Sequence, residues 1–311
     1  MEKYLVTGGA GFIGSNIVET LLKKNKNVKI LDNFLTGKKE NIELFAKEVE
    51  LIEGDLRDKS AVKRAVQDVD YVIHLAALPS VPRSVKNPLL SNDINISGTL
   101  TLLEGCKEAK VRRLVFASSS AVYGGRAPLP VKESYATSPI SPYGLTKLCG
   151  EHYVRLFYEL YGLETVSLRY FNVFGPRQDP KSQYAAVIPK FITAILKDDS
   201  PTVFGDGEQS RDFTFVANVV EANIKACEAG KEALGKSFNI ACEQSLSLNQ
   251  LLSLINKKVG KEVKAIYTYA RSGDIKHSLA SIEEAEKYLN FKPLVSTEEG
   301  LSKTIEWFEK I

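Results

Sequence analysis

A glycine-rich turn constrains this chain more than any other stretch. In TGGAGFIG (7–14), Gly9-x-Gly11-x-x-Gly14 follows a strand-like run, KYLVT (3–7), and opens a segment with helical spacing. Glycines there let the backbone turn tightly and approach a pyrophosphate, whose charge the free N–H groups of a helix N-terminus attract. The triplet alone also occurs in ordinary turns. The strand before it, the helix after it and Asp32 at the end of the next strand together point to a dinucleotide-binding βαβ unit. Asp32 can accept hydrogen bonds from ribose hydroxyls, and the next residue is Asn33 rather than an arginine that would welcome a 2′-phosphate. NAD is therefore expected over NADP.

The rest of the first half repeats this rhythm. Strand-like runs at 27–32, 49–55, 70–76, 112–118 and 165–171 alternate with helical patterns after Gly11, near 38–47, 58–67, 91–109 and 143–161. Such alternation predicts an α/β protein with a doubly wound, Rossmann-type parallel sheet. Beyond Asn172 the pattern breaks into Gly-, Pro- and Asp-rich loops with helical stretches near 184–197, 216–228, 247–258, 281–289 and 298–309. The expected organisation is an NAD-binding domain of residues 1–170 and 211–240, with a smaller mixed α/β substrate-binding lobe of residues 171–210 and 241–311 over the sheet's C-terminal edge.

Composition narrows the function. The chain has 41 Lys and Arg against 38 Asp and Glu, a net charge of +3, and no basic block interleaved with aromatics, so nucleic acid is not an expected partner. Cys106, Cys149, Cys227 and Cys242 lack Cys-x-x-Cys spacing, and His74, His152 and His277 do not cluster. Reduced thiols and no metal are expected. Neither a signal peptide nor a membrane-length apolar run is apparent, which suggests a cytoplasmic protein with no membrane partner.

The chemistry centres on SPYGLTK (141–147). Tyr143 and Lys147 are one helical turn apart and share a face. A tyrosine of ordinary pKa ~10 must have its phenolate stabilised by about 4 kcal/mol to act as a base near pH 7. A neighbouring ammonium and an oxidised nicotinamide would both help. Tyr288 and Lys292 have the same spacing without such surroundings. SSSAVYG (118–124) puts serines at the end of the fifth strand, where open α/β sheets hold their ligands. Counting backward from Tyr123 selects Ser119 as the hydroxyl partner; counting from the first serines would select Ser120. Asp55, in GDLRD (54–58), could meet an adenine edge or cap the next helix.

TGGAGFIG, GDLRD, HLAA (74–77), NISGT (95–99), SSSAVYG, YGLTK, RYFNVFGP (169–176), GDGEQSRDF (205–213) and RSGDI (271–275) together resemble the extended short-chain dehydrogenase/reductases, specifically the nucleotide-sugar epimerases and dehydratases. The resemblance spans nearly the whole chain. It implies that Ser119, Tyr143 and Lys147 remove the proton from a sugar 4-hydroxyl as hydride leaves C4 for NAD. It assigns Gly8, Gly11, Phe12, Ile13 and Gly14 to the pyrophosphate loop, Asp32 and Asn33 to the adenosine ribose, and Asp55 and Leu56 to adenine. Ala76 and Ala77 would lie beside the pyrophosphate and ribose, Asn95 nearby, and Tyr170 at the nicotinamide. It further implies a homodimer built on the helices near 91–109 and 143–161.

The branch is narrowed by absences. The 4,6-dehydratases carry an Asp-Glu pair where this chain has Ser120 and Ala121, and the UDP-glucuronate decarboxylases keep a glutamate at the position of Ala121. Without those carboxylates the implied outcome is epimerisation at C4. FNVFGPRQDP, QYAAVIPKF (183–191), NIA (239–241) and GDIKHSLA (273–280) resemble UDP-N-acetylglucosamine 4-epimerases, in which Asn172, Gln178, Ala186, Arg211 and Arg271 would contact a UDP-sugar, the arginines gripping its diphosphate. Ser278 falls where a bulky tyrosine narrows the pocket in epimerases restricted to non-acetylated sugars. Its small side chain implies room for a 2-acetamido group while still admitting UDP-glucose. The alternatives are a UDP-glucose 4-epimerase, a UDP-uronate 4-epimerase, or an NAD-sensing protein without activity; the last has no need for Ser119, Tyr143 and Lys147 together.

Overall fold

The computed structural model describes residues 2–180, 186–270 and 275–310. Its strands include β1 (Lys3–Thr7), β2 (Asn27–Asp32), β3 (Glu50–Glu53), β4 (Tyr71–His74), β5 (Arg113–Ser119), β6 (Glu164–Tyr170), the short β7 (Val173–Phe174), β8 (Thr202–Phe204), β9 (Ser210–Asp212), β10 (Thr214–Phe215) and β11 (Ser237–Ile240). The central sheet runs β11-β6-β5-β4-β1-β2-β3, and every neighbouring pair is parallel. The doubly wound sheet expected from the alternation is present. β1 and β4 are neighbours, yet the chain leaves β1 toward β2 and β4 toward β5, so a crevice opens beyond their C-terminal ends. Thr7 pairs with His74 across that point.

Helices cover both faces, which is why the strands read as continuous apolar runs. On one face α1 (Phe12–Lys23) buries Ile17 and Leu21 together with Val219 of α8 (Val216–Glu228). On the other, α2 (Lys59–Val66), α5 (Gly98–Glu108) and α6 (Pro142–Tyr161) bury Val62, Leu102 and Phe157 against Leu5, Val72 and Phe116. Each fully buried side chain of this size contributes ~1.5–3 kcal/mol. Segment 216–240 thus returns to the sheet through α8 and β11, which pairs with β6.

Two helical expectations are corrected. Residues 38–47 form two 3₁₀ turns, Lys39–Asn41 and Glu43–Phe45, rather than one helix. Lys38 N–H and the Asn41 side-chain amide both donate to the Ala10 carbonyl, tying this stretch to the glycine turn. Only Ile42 and Phe45 of these residues are buried, too few to anchor a longer apolar face. The expected helix at 91–109 begins earlier, as α4 (Pro88–Asn92), with the Asn87 side chain accepting from Leu90 N–H as its cap. It passes through a π turn, Asp93–Ser97, before α5. α6 is capped by Ser141, whose hydroxyl accepts from Gly144 N–H at 3.1 Å, carries Pro142 in its first turn, and ends at Gly162 with φ +73°.

Candidate active site

The crevice beyond β1 and β4 is a cleft of about 540 Å³. Gly8, Gly11, Phe12, Ile13, Gly14, Asp32, Asn33, Asp55, Leu56, Ala76, Ala77, Ser119, Tyr143, Lys147, Tyr170, Asn172, Gln178 and Ala186 all line it. Two of the glycines are required sterically. Gly8 has φ +70°, and a Cβ there would stand 2.9 Å from Ala76 N; a Cβ at Gly14 would stand 2.1 Å from the Gly8 carbonyl oxygen. The result is a side-chain-free cradle at the N-terminus of α1, suited to a pyrophosphate. Gln178 lines the same cleft with its Oε1 buried and lacking a partner among the described residues.

Asp32 has a local task as well. Its carboxylate accepts from Ala10 N–H at 2.9 Å and Phe34 N–H at 2.8 Å, so it pins the glycine turn to the loop after β2. Burial raises its pKa, and the Phe34, Ala10 and Asn33 amides oppose that rise. Asp55 is not a helix cap: Asp58 fills that place by accepting from Ser60 N–H at 2.8 Å. The Asp55 carboxylate is instead gripped by the Arg57 guanidinium and by Asn33 Nδ2, and Arg57 holds its pKa well below the usual range.

Asn95, expected near the pyrophosphate and ribose, is buried in the π turn beside Ile94 of the cleft lining. There Oδ1 accepts from Leu78 N–H at 2.7 Å and Nδ2 donates to Thr146 Oγ1 at 3.0 Å. Thr146 Oγ1 donates in turn to the Tyr143 carbonyl at 2.8 Å. The Tyr170 ring lines the cleft while its hydroxyl donates to Asn223 Oδ1 of α8 at 3.0 Å.

At the end of β5, Ser119 and Ser120 line the cleft together with Tyr143. Burial raises the Tyr143 pKa and the neighbouring Ser119 hydroxyl lowers it in part. Lys147 Nζ donates to the Ala117 carbonyl at 2.7 Å, with the Phe116 ring centroid at 4.9 Å. Burial pushes its pKa down to about 8, opposed by the Glu151 carboxylate. His74, equally buried, is pushed down to about 3 by burial and by the Lys147 charge. It bridges Thr7 Oγ1 at 2.7 Å and Thr99 Oγ1 at 2.9 Å. Because Thr99 donates to the Asn95 carbonyl, it accepts from His74, which assigns the imidazole proton to Nε2.

A second cleft of about 630 Å³ adjoins the first, sharing Asn172, Val173 and Ala186 with it. Arg211, Phe204, Gln209, Phe213 and Ile188 line it; of these, the sequence reading had singled out Arg211 alone. Arg211 Nη1 donates to the Ser210 carbonyl at 2.9 Å. Ser278 is not among the lining residues of either cleft, but its hydroxyl lies 3.5 Å from Nδ2 of Asn172, which lines both. Arg271 lies outside the described residues. Among the described residues no group of three His, Cys, Asp or Glu side chains is arranged to hold a metal, and no helix is long and apolar enough to cross a membrane. All four cysteines are free thiols.

Comparison with known proteins extends this geometry. The family described as the NAD dependent epimerase/dehydratase family matches residues 4–241. A putative UDP-glucose 4-epimerase of Methanocaldococcus jannaschii is 43% identical over 307 residues, covering 98% of both chains. The structure of a UDP-N-acetylglucosamine 4-epimerase from Methanobrevibacter ruminantium, in complex with UDP-N-acetylmuramic acid, superposes with a TM-score of 0.94 at 45% identity, covering 99% of this chain and 98% of that one. The structure of a UDP-glucose 4-epimerase from Thermotoga maritima with UDP-glucose gives a TM-score of 0.94 at 38% identity over 99% of both chains.

Proposed function

Because the chain belongs to the NAD-dependent epimerase/dehydratase family of enzymes, we propose that it inverts C4 of a UDP-hexose through a 4-keto intermediate, with UDP-N-acetylglucosamine and UDP-N-acetylgalactosamine as its preferred pair. The carrying observation is that Ser119, Tyr143 and Lys147 come together in the dinucleotide cleft, beside the residues shared with the second cleft. Bound in this cleft, NAD would supply the hydride acceptor and donor for C4, and return of the hydride to the opposite face of the ketone would invert that carbon.

The protein's own residues manage binding and the proton. Gly8, Gly11 and Gly14 hold the cofactor's pyrophosphate, and Asp32 and Asn33 its adenosine ribose. Tyr143 takes the proton of the sugar 4-hydroxyl, Ser119 shares it, and Lys147 supplies the positive charge that makes the phenolate accessible. Asn172, Gln178, Ala186, Arg211 and Arg271 bind the UDP-sugar across the second cleft. Ser120 and Ala121 provide no carboxylate for dehydration or decarboxylation, so the ketone has only its hydride to recover. The ketone must turn over between the two transfers, which favours firm contacts on the nucleotide and loose ones on the hexose.

Residues 1–170 and 211–240 form the cofactor domain in this reading, and 171–210 with 241–311 the substrate lobe. Exposed Leu89, Leu145, Leu156 and Leu160 on α4 and α6 support a homodimer through these helices.

Substrate preference is tested at Ser278. With NAD supplied, turnover of UDP-N-acetylglucosamine is expected to exceed that of UDP-glucose. Ser278→Tyr is expected to depress the acetamido reaction by roughly 10- to 200-fold while leaving UDP-glucose within a fewfold, the range one steric mismatch in a pocket produces. Equal losses on both sugars would remove Ser278 as the determinant.

A further inference from the structure

Tyr143, Lys147 and Glu151 follow one another at four-residue intervals on α6 and so share a face. The first two are accounted for by the chemistry proposed above; the third is not. Glu151 is only 6% exposed, and its carboxylate accepts four hydrogen bonds. Arg169 of β6 donates from Nε to Oε1 at 2.9 Å and from Nη2 to Oε2 at 2.7 Å. Ser237 of β11 donates to Oε2 at 3.1 Å, and Ser118 of β5 donates to Oε1. Ser118 immediately precedes Ser119, so Glu151 joins three strands to α6 next to the cleft-lining Ser119.

We propose that Glu151 is a positioning residue of the active site: it holds the end of β5 so that Ser119 stays in register with Tyr143, and it places a buried negative charge one helical turn from Lys147 that keeps that side chain an ammonium. This rests on the catalytic reading above.

The surroundings leave Glu151 as the nearby anion. Glu151 approaches Lys147 from α6, and neutral His74 from β4. β5 contributes the Ala117 carbonyl and the Phe116 ring. The π turn and α5 contribute the uncharged Asn95 and Thr99 of the His74 network. Beyond Glu151 stands Arg169, whose Nη1 donates to the Tyr123 hydroxyl at 2.7 Å. Arg169 fixes the carboxylate in place by a two-pronged grip. The Lys147 pKa of about 8 already reflects burial opposed by this one carboxylate, so loss of the charge moves it further down.

The test uses NAD-loaded enzyme. Glu151→Gln is expected to lower kcat about 100-fold, as misplacement of reacting groups does, with KM and bound NAD within about twofold of wild type. The basic limb of its kcat–pH profile is expected to move down by ~1 pH unit. Glu151→Asp, which keeps the charge but withdraws it from Ser118, is expected to lose kcat with that limb unmoved; it also carries the test should Gln opposite Arg169 prevent folding. Wild-type kcat in Glu151→Gln would overturn the proposal, as would a loss of kcat with an unmoved basic limb.

A second measurement needs no turnover. Lys147 binds a proton less readily folded than unfolded, so its burial penalty is greatest below pH 8 and fades as pH rises toward 10.5. The stability gained by Lys147→Met is therefore expected to fade over the same window, and in the Glu151→Gln background to begin fading ~1 unit lower. An identical onset in both backgrounds would refute the charge role. Failure of the unaltered protein to epimerise any UDP-hexose would instead refute the proposed function, and this stability cycle would still decide Glu151.

Discussion

Replacing Tyr143 with phenylalanine is expected to lower turnover of a UDP-hexose by about 10³- to 10⁴-fold while leaving the fold and NAD binding intact. Phenylalanine keeps the ring and its packing and removes only the hydroxyl, so the predicted loss is that of the proton acceptor itself, for which general base catalysis is worth ~10²–10⁴-fold. The hydroxyl is poorly suited to the task without help. Burial raises its pKa above the ordinary value of tyrosine, and the neighbouring Ser119 hydroxyl compensates only in part. The remaining stabilisation of the phenolate has to come from positive charge. Lys147 stands one turn away on the same helix, its amine held by the Ala117 carbonyl. Single-turnover measurements with NAD-loaded protein check this directly. Activity within tenfold of wild type would assign the base elsewhere.

Gly14→Val is expected to abolish useful NAD binding. A side chain at this position would place its Cβ 2.1 Å from the Gly8 carbonyl oxygen and 2.8 Å from the Gly9 Cα, so the turn must open or α1 must move. Overpacking of this kind costs roughly 1–3 kcal/mol or more, and here the displaced atoms are the cradle itself. A fall of at least tenfold to 100-fold in NAD affinity is predicted, measured by fluorescence titration with circular dichroism as the control for folding. Gly11→Ala should be far milder, because a Cβ there meets only the Gly8 carbonyl, at 3.1 Å. An equal loss in both variants would mean that general destabilisation, and not the shape of the turn, governs binding.

Much of the fold was legible because local signals agreed with one another. β2 spans the same residues, 27–32, as its apolar run, and α8 the same residues, 216–228, as its helical pattern. α6 carries its own start and stop in Ser141, Pro142 and Gly162. Where tertiary contacts overrode local pattern, the reading failed. The 38–47 stretch has helical spacing but is held by the Ala10 carbonyl, and the helix expected at 91–109 is interrupted by a π turn that no periodicity announces.

The candidate site divides the same way. The residues around the glycine turn lie on successive strand ends, where chain order and spatial order coincide. The second cleft draws on α7 (Val187–Leu196), β7–β9 and Leu248. Its strands are two or three residues long, too short for alternation to be read. Phe204, Gln209 and Phe213 therefore went unremarked there. Glu151 had a signal that could have found it, the four-residue step beyond Lys147, but an acid on a long helix ordinarily faces solvent, and only its partners Ser118, Arg169 and Ser237 distinguish it.

The most direct test of the central claim is to mix NAD-supplied protein with UDP-N-acetylglucosamine deuterated at C4 and follow the sugar signals by NMR. Inversion through a 4-keto sugar predicts the anomeric signal of the C4 epimer, UDP-N-acetylgalactosamine, with deuterium retained at C4, since the hydride never leaves the site. Appearance of the epimer with its label exchanged into solvent, or no epimer from this sugar or from UDP-glucose, would contradict the account.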